Sequence, residues 1–227
     1  MKTTLIIGGT RGIGKAILNR LLDSNQCINF SRALPEFSHS NLQHFSLDVL
    51  TDELPDIEVV DSIIYAPGSI RLKPITTLKE ADFLEDFSIN VLGAVRVINK
   101  YYRKLRKSEE ASILLFSTVA VAQGMPFHSS IAAAKGGVEG LTRSLAAEFA
   151  PKVRVNCIAP SITDTDLAAG ILRNDLAREK SAERHPLKTI LKPDDIANMA
   201  CFLVSKEARA ITGQVIGVDA GLSTLKV

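Results

Sequence analysis

Leu5-Ile6-Ile7-Gly8-Gly9-Thr10-Arg11-Gly12-Ile13-Gly14 is the stretch on which the reading of the chain turns. Three aliphatic residues run without alternation, glycines follow at once, and apolar residues then recur at helical spacing from Ile13 to Leu22. An apolar run of this kind belongs to a strand covered on both faces, as in a parallel sheet. Glycines at 8, 12 and 14 let the backbone turn sharply and come close to a charged group. The helix behind them offers free N–H groups and a partial positive charge, a setting that suits a pyrophosphate. A tight strand-to-helix turn with no ligand is the plain alternative.

Outward from this loop the same alternation repeats. Apolar runs at Cys27 to Phe30, Phe45 to Leu47, Val59 to Tyr65, Ile113 to Phe116, Val153 to Ile158 and Val215 to Val218 read as strands. Helical patterns lie between them: Glu80 to Lys107 with an interruption near Ser88, Ser129 to Phe149, Asp166 to Lys180, and Pro193 to Leu203. Strands alternating with helices imply right-handed crossovers. The expected fold is α/β, a Rossmann-like doubly wound parallel sheet of about seven strands with helices on both faces. No linker or repeat interrupts it, so residues 1–227 read as a single domain. Ligands of such sheets bind at the carboxyl ends of the strands.

Composition narrows the classes of function. The chain has 227 residues, 27 Lys+Arg against 25 Asp+Glu, and 46% hydrophobic residues. That is ample apolar surface for one core. The near-balance of charge argues against nucleic acid, which asks for a clustered basic excess. No apolar run approaches the roughly 20 residues that span a bilayer, and the short run before Gly8 is no secretory leader. Cys27, Cys157 and Cys201 are odd in number and far apart, and four scattered histidines have no ligand spacing. The cysteines read as small buried hydrophobes in a reducing cytoplasm, and no metal site is expected.

Several motifs in order resemble the short-chain dehydrogenase/reductase family over nearly the whole chain. The glycine loop, Gly8 to Gly14 with Thr10, Arg11 and Ile13 inside it, resembles the family's cofactor signature. Asp48-Val49 resembles its adenine-contacting pair. Tyr65-Ala66-Pro67-Gly68 stands where the family has Asn-Asn-Ala-Gly, and keeps the glycine. Asn90-Val91-Leu92-Gly93, Lys135-Gly136-Gly137-Val138, Val155-Asn156-Cys157-Ile158-Ala159-Pro160 and Val218-Asp219-Ala220-Gly221 match the later motifs. The resemblance implies a nicotinamide cofactor contacted by these residues, with Thr163 and Thr165 reaching its carboxamide after Pro160. It also implies a homodimer or homotetramer.

The second strand ends Asn29-Phe30-Ser31-Arg32 with no acid to accept from the ribose hydroxyls. Arg32 supplies a fork for a 2′-phosphate, Ser31 a donor, and Arg11 a second cation. The expected cofactor is therefore NADP(H) rather than NAD(H), against the plain alternative of two solvated arginines.

The family's chemistry uses an asparagine, a serine, a tyrosine and a lysine. Carried over position by position, these fall on Asn90, Thr118, Ile131 and Lys135. Isoleucine has no proton to transfer, and no Tyr-x-x-x-Lys occurs elsewhere. Tyr101 and Tyr102 lie eleven and twelve residues beyond Asn90, roughly 16–18 Å along a helix. His128 remains as a candidate acid and base, and Ser130 reads as a helix cap. Two readings follow. One is an NADP(H)-dependent carbonyl or alcohol oxidoreductase with weakened or atypical acid–base catalysis. The other is a catalytically inactive cofactor-binding sensor, regulatory subunit or scaffold. A folded relic that binds nothing is the third and weakest.

Overall fold

The computed structural model describes residues 1–226. Its strands are β1 (Lys2–Ile7), β2 (Asn25–Ser31), β3 (Leu42–Ser46), β4 (Ser62–Tyr65), β5 (Ser112–Phe116), β6 (Arg154–Pro160) and β7 (Val215–Val218). They form one sheet in the order β3-β2-β1-β4-β5-β6-β7, every pair parallel. The helices are α1 (Gly12–Leu21), α2 (Glu80–Phe87), α3 (Gly93–Leu105), α4 (Ala120–Gln123), α5 (Ser129–Phe149), α6 (Asp175–Glu183) and α7 (Pro193–Val204).

The unalternating apolar strands are explained by two cores, one on each face. Leu5 and Ile7 of β1 and Ile63 of β4 pack with Val97, Ile98 and Tyr101 of α3 and Val138 of α5. Their neighbours Ile6 and Ile64 point the other way, onto Ile17 and Leu18 of α1 and Ile196 and Ala200 of α7. Both faces are buried, so both residue parities must be apolar. The order reverses at β1, leaving its carboxyl end, and the glycine loop, at the switch point.

Some expected boundaries shift. The third strand covers Leu42–Ser46, earlier than Phe45 to Leu47, because it pairs with β2 from Cys27↔Leu42 to Ser31↔Ser46. The fourth begins at Ser62; Val59 is exposed. The Asp166 to Lys180 pattern divides into a short 3₁₀ turn at Asp166–Ala168 and α6. Cys27 and Cys157 are buried, whereas Cys201 is only partly so.

The interruption near Ser88 is a widened turn of π type at Ser88–Leu92, continuous with α2 and α3. Its cause is Tyr65. The Gly93 N–H bonds to the Ser88 carbonyl, five residues back, which frees the Ile89 carbonyl. The Tyr65 hydroxyl donates to that carbonyl at 2.6 Å. A Cβ on Gly93 would stand 2.0 Å from the Tyr65 Oη, so only glycine admits the hydroxyl here. Asn90 sits within this turn, and π turns are frequent at functional sites.

Candidate active site

A cavity of 620 Å³ runs along the carboxyl ends of the strands. The glycine loop forms one wall, with Gly8, Thr10, Arg11, Gly12, Ile13 and Gly14 all lining it. Ser31, Arg32, Asp48 and Val49 line one end, while Ala66 and Gly68 lead to the other; Thr165 covers the loop. These are thirteen of the residues expected from sequence to hold a cofactor. Asn90, Lys135, Pro160 and Thr163 stand behind this lining.

The loop is close-packed backbone. Gly12 has φ of +53°, and a Cβ on Gly14 would lie 2.1 Å from the Gly8 carbonyl oxygen. The start of α1 is thereby pressed against the loop. Arg11 occupies the N-cap without a capping side-chain bond, and the first turn holds no acidic residue. The first-turn N–H groups therefore keep their affinity for an anion. Asn29, buried on β2, accepts from the Gly9 N–H at 2.9 Å and ties the loop to the sheet. At the far end of the cleft Arg32 is exposed, with Asp48 at 3.8 Å.

Beyond Gly68 the site is made of side chains. A Cβ on Gly68 would be 3.5 Å from both Asn90 Oδ1 and Lys135 Nζ, so these two groups meet at that glycine. Lys135 is buried, and its ammonium donates to the Phe116 carbonyl at 2.7 Å. Burial pushes its pKa down to about 8, while Cys157 and Asp86 act in the opposite direction. Asn90 donates to the Asp86 carbonyl at 2.7 Å and to Ser69 Oγ at 3.1 Å. Its own Oδ1 is buried and has no hydrogen-bond partner.

Ile131 is buried one turn before Lys135, on the same side of α5. Thr118 is half-buried just past β5, and its Oγ1 accepts from the Ala120 N–H at 3.3 Å. His128 sits at the N-cap of α5, half-buried. Its Nδ1 is 2.7 Å from the Pro126 carbonyl, which can only accept, so Nδ1 carries a hydrogen. No hydrogen bond joins it to Asn90 or Lys135. Tyr65 and Tyr101 are both buried with hydroxyls spent, on Ile89 and on Pro55, and burial raises both pKa values far above the usual phenol.

Two findings depart from the sequence reading, at Ser130 and at Thr163. Ser130 does not cap α5; it is buried and donates across to the Asp86 carboxylate. The Thr163 hydroxyl turns back to the Ser161 carbonyl at 3.1 Å, which leaves its backbone for any ligand contact. Pro160 ends β6, its carbonyl accepting from Val119 at 3.2 Å. Sequence reasoning also missed two groups. Asp86, fully buried, accepts from Ser69 at 2.6 Å and from Ser130, which satisfies a carboxylate that would otherwise be costly to bury. Its only signal is a place four residues before Asn90, one helical turn away. His185, also buried, bonds Ser161 Oγ at 2.8 Å and the Ser181 carbonyl at 2.8 Å, tying the end of α6 to the end of β6.

Among the described residues no group of three or more His, Cys, Asp or Glu is placed to hold a metal, and no helix is long and apolar enough to cross a membrane.

The strand order and the glycine loop at its switch point define a Rossmann-type α/β protein. The chain belongs to the short-chain dehydrogenase/reductase family of oxidoreductases: a family profile described as enoyl-(acyl carrier protein) reductase matches residues 49–223. It is similar to the 3-oxoacyl-(acyl-carrier-protein) reductase FabG of Thermotoga maritima, 31% identical, with 97% of each chain covered. The FabG of Chlamydia trachomatis is 27% identical, over 98% of this chain and 97% of its own. Among solved structures, the aldohexose dehydrogenase of Thermoplasma acidophilum superposes with a TM-score of 0.90 at 26% identity, covering 99% of this chain and 95% of that one. ElxO with NADP bound gives 0.88 at 25% identity, covering 99% of each. A tyrosine-to-phenylalanine variant of ElxO with NADPH bound matches equally well, at 0.88 and 25%.

Proposed function

We propose that the protein is an NADP(H)-dependent oxidoreductase of a carbonyl or alcohol substrate, with an acid–base step that departs from the family's. One observation carries the reading: a single cleft runs from an exposed cation at Arg32 along a glycine cradle to Gly68, behind which the buried Asn90 and Lys135 stand. The residues fit the cofactor. Gly14 leaves room that a Cβ would fill, the α1 N-terminus is uncapped, and Asn90 Oδ1 is an orphaned acceptor at the reacting end. Arg32 and Ser31 line the end of the cleft away from Gly68, where the Arg32 guanidinium supports a 2′-phosphate, while the Ser31 hydroxyl is turned to Asn29 at 3.3 Å; the nearby carboxylate, Asp48, comes from just past β3 and faces Arg32. NADP-bound ElxO supports the same reading by its likeness.

When bound, the nicotinamide supplies the hydride. The chain's own residues do the rest. The loop N–H groups and Arg32 hold the anionic portions, Lys135 has N–H groups to offer a ribose hydroxyl, and the Thr118 hydroxyl, which accepts from the Ala120 N–H, keeps its own hydrogen for the substrate oxygen. Losing a positioned acid typically costs ~10²–10⁴-fold, which slows the reaction without removing orientation. A second reading, a cofactor-holding protein without turnover, rests on Ile131 alone. Exposed Leu84, Phe87 and Leu92 along α2 and the π turn support pairing of copies in solution, which light scattering would measure.

Calorimetric titration with NADPH and with NADH tests the first reading, followed by NADPH consumption against a panel of carbonyls. Micromolar NADPH binding, weaker NADH binding and measurable consumption are expected. Binding without consumption would select the second reading; binding of neither cofactor would end both.

A further inference from the structure

Gly9 lies inside the loop but outside the spacing made by glycines 8, 12 and 14. A Cβ on it would stand 2.5 Å from Asn29 Oδ1, so the amide of Asn29 is packed directly on this stretch of backbone. Asn29 is fully buried in the middle of three paired strands, beside Ile6 of β1 on one side and His44 of β3 on the other. Its Oδ1 accepts from the Gly9 N–H at 2.9 Å and from Ser31 Oγ at 3.3 Å. Its Nδ2 lies 2.9 Å from His44 Nδ1.

These bonds fix the place of every hydrogen. A backbone N–H can only donate, so the amide oxygen faces Gly9 and the amide nitrogen faces His44. The amide nitrogen also can only donate, so His44 Nδ1 accepts, and the ring is neutral with its hydrogen on Nε2. That Nε2 is buried and has no hydrogen-bond partner. A proton added at Nδ1 would set two donors against each other across 2.9 Å. Turning the Asn29 amide over only moves the conflict, because its NH₂ would then meet the Gly9 N–H. The imidazolium would also be a buried charge with no acceptor at either nitrogen.

We propose that His44 is a positioning residue of the cofactor cradle: as a neutral ring it holds the Asn29 amide, the amide holds Gly9, and uptake of a proton by His44 loosens the hold of the loop on a dinucleotide. The role rests on the reading of the cleft as a dinucleotide site. His44 touches no ligand itself. Its influence reaches the cleft through the neighbours of Gly9, Gly8 and Thr10, and through Ser31, all of which line it. An empty loop can yield to the imidazolium; a loop with a pyrophosphate seated on it cannot. Proton and dinucleotide therefore oppose one another, each weakening the binding of the other by the same factor.

The charges around the ring do not compete for this role. Neither β2 nor β3 carries a charged residue. Of the cations on α1, Lys15 pairs with Glu36 and Arg20 with Asp194. On the connection between β2 and β3, Arg32 faces Asp48, and His39 Nδ1 accepts from the Asn41 N–H. No charged residue is among the influences on the imidazole. Burial holds it below the ordinary histidine range, opposed more weakly from the Asn29 backbone.

Two measurements test this, the first without cofactor. Long-range ¹H–¹⁵N correlation spectra of histidine-labelled full-length protein at pH 7.5 read the tautomer, with His44 assigned by its absence in His44→Gln. Hydrogen on Nε2 and a bare Nδ1 are expected; hydrogen on Nδ1 overturns the proposal and leaves the cofactor reading standing. The second is calorimetric binding of NADP⁺ between pH 7.5 and pH 5. His44→Leu removes the acceptor and should weaken binding by ~10-fold at pH 7.5. His44→Gln restores an acceptor that does not titrate, and should recover most of that loss. On acidification to pH 5 the unaltered protein should lose at least ~3-fold more affinity than His44→Gln, a comparison in which titration of the 2′-phosphate cancels. Unweakened binding by His44→Leu, no recovery in His44→Gln, or identical pH profiles of His44→Gln and the unaltered protein overturns the proposal. If the unaltered protein binds neither NADP⁺ nor NAD⁺ at pH 7.5, the cofactor reading fails and the proposal with it.

Discussion

At the glycine-loop end of the cleft a ligand meets backbone; at the Gly68 end it meets side chains. The cradle is set by Gly12 in a left-handed conformation, by Gly14 pressed on Gly8, and by the uncapped start of α1. Most of its donors are main-chain N–H groups, with Asn29 tying the loop to the sheet. The Gly68 end presents Asn90 and Lys135, with Ile131 one helical turn before the lysine, so its proposed chemistry depends on what single side chains carry. The difference teaches that the two ends can be altered independently: the backbone cradle does not depend on the side chains behind Gly68. It also explains why the two functional readings diverge only at residue 131.

The comparison can be broken most forcefully at that residue. Ile131→Tyr places a hydroxyl one turn from Lys135 and should raise kcat by ~10²–10⁴-fold with NADPH affinity unchanged. Steady-state kinetics with a carbonyl panel would read it, and absence of any gain would mean that the pocket around the residue no longer accepts the family's geometry.

Lys135 sharpens the contrast through pH. Its amine is held near 8 in the folded protein against an ordinary 10.5, so the unfolded chain binds more protons between those values. The cost of burying the ammonium is full below about pH 8 and is relieved as pH rises toward 10.5. Stability should therefore climb across that window relative to Lys135→Met, by on the order of 3 kcal/mol. Taking the difference between the two proteins cancels the opposing contribution of the buried thiols, whose raised pKa values lower stability in alkali. Urea midpoints at pH 7.5, 9 and 10.5 would measure it.

At the backbone end, Gly14→Ala forces a Cβ against the Gly8 carbonyl and should cost about 1–3 kcal/mol, shared between stability and NADPH affinity. Calorimetry and thermal melting together divide the loss. The smallest effect is expected at the exposed rim. Arg32→Asp should lower the NADPH-to-NADH affinity ratio by about tenfold, and an unchanged ratio would remove Arg32 from the 2′-phosphate.

What could be read from the chain follows the same division. Glycine spacings and unbroken apolar runs are local signals, and they gave the parallel sheet, the two-faced core and the loop at the switch point. Asn90, Lys135 and Gly68 were placed by motif, and the structure brings all three together. The missed features depend on pairs remote in sequence. Ser130 looked like a cap because a serine early in a helix usually is one; its actual partner, Asp86, lies 44 residues away. The break near Ser88 was legible as an irregularity, but its form depends on Tyr65, 24 residues before Ile89. His185 gave no signal at all, because what it meets is Ser161, 24 residues back and at the end of a different element. Side chains that act through tertiary neighbours leave no periodicity to detect.

The contact between Tyr65 and Gly93 has a consequence for how this chain can change over time. The hydroxyl fills the volume that any larger residue at 93 would claim. Exchanging Gly93 for alanine is therefore forbidden while Tyr65 remains and becomes accessible once position 65 is small. Replacing Tyr65 by asparagine while retaining Gly93 would leave the Ile89 carbonyl to find another donor. The two positions form an epistatic pair, and mutational paths that alter the Asn90 turn must pass through residue 65 first.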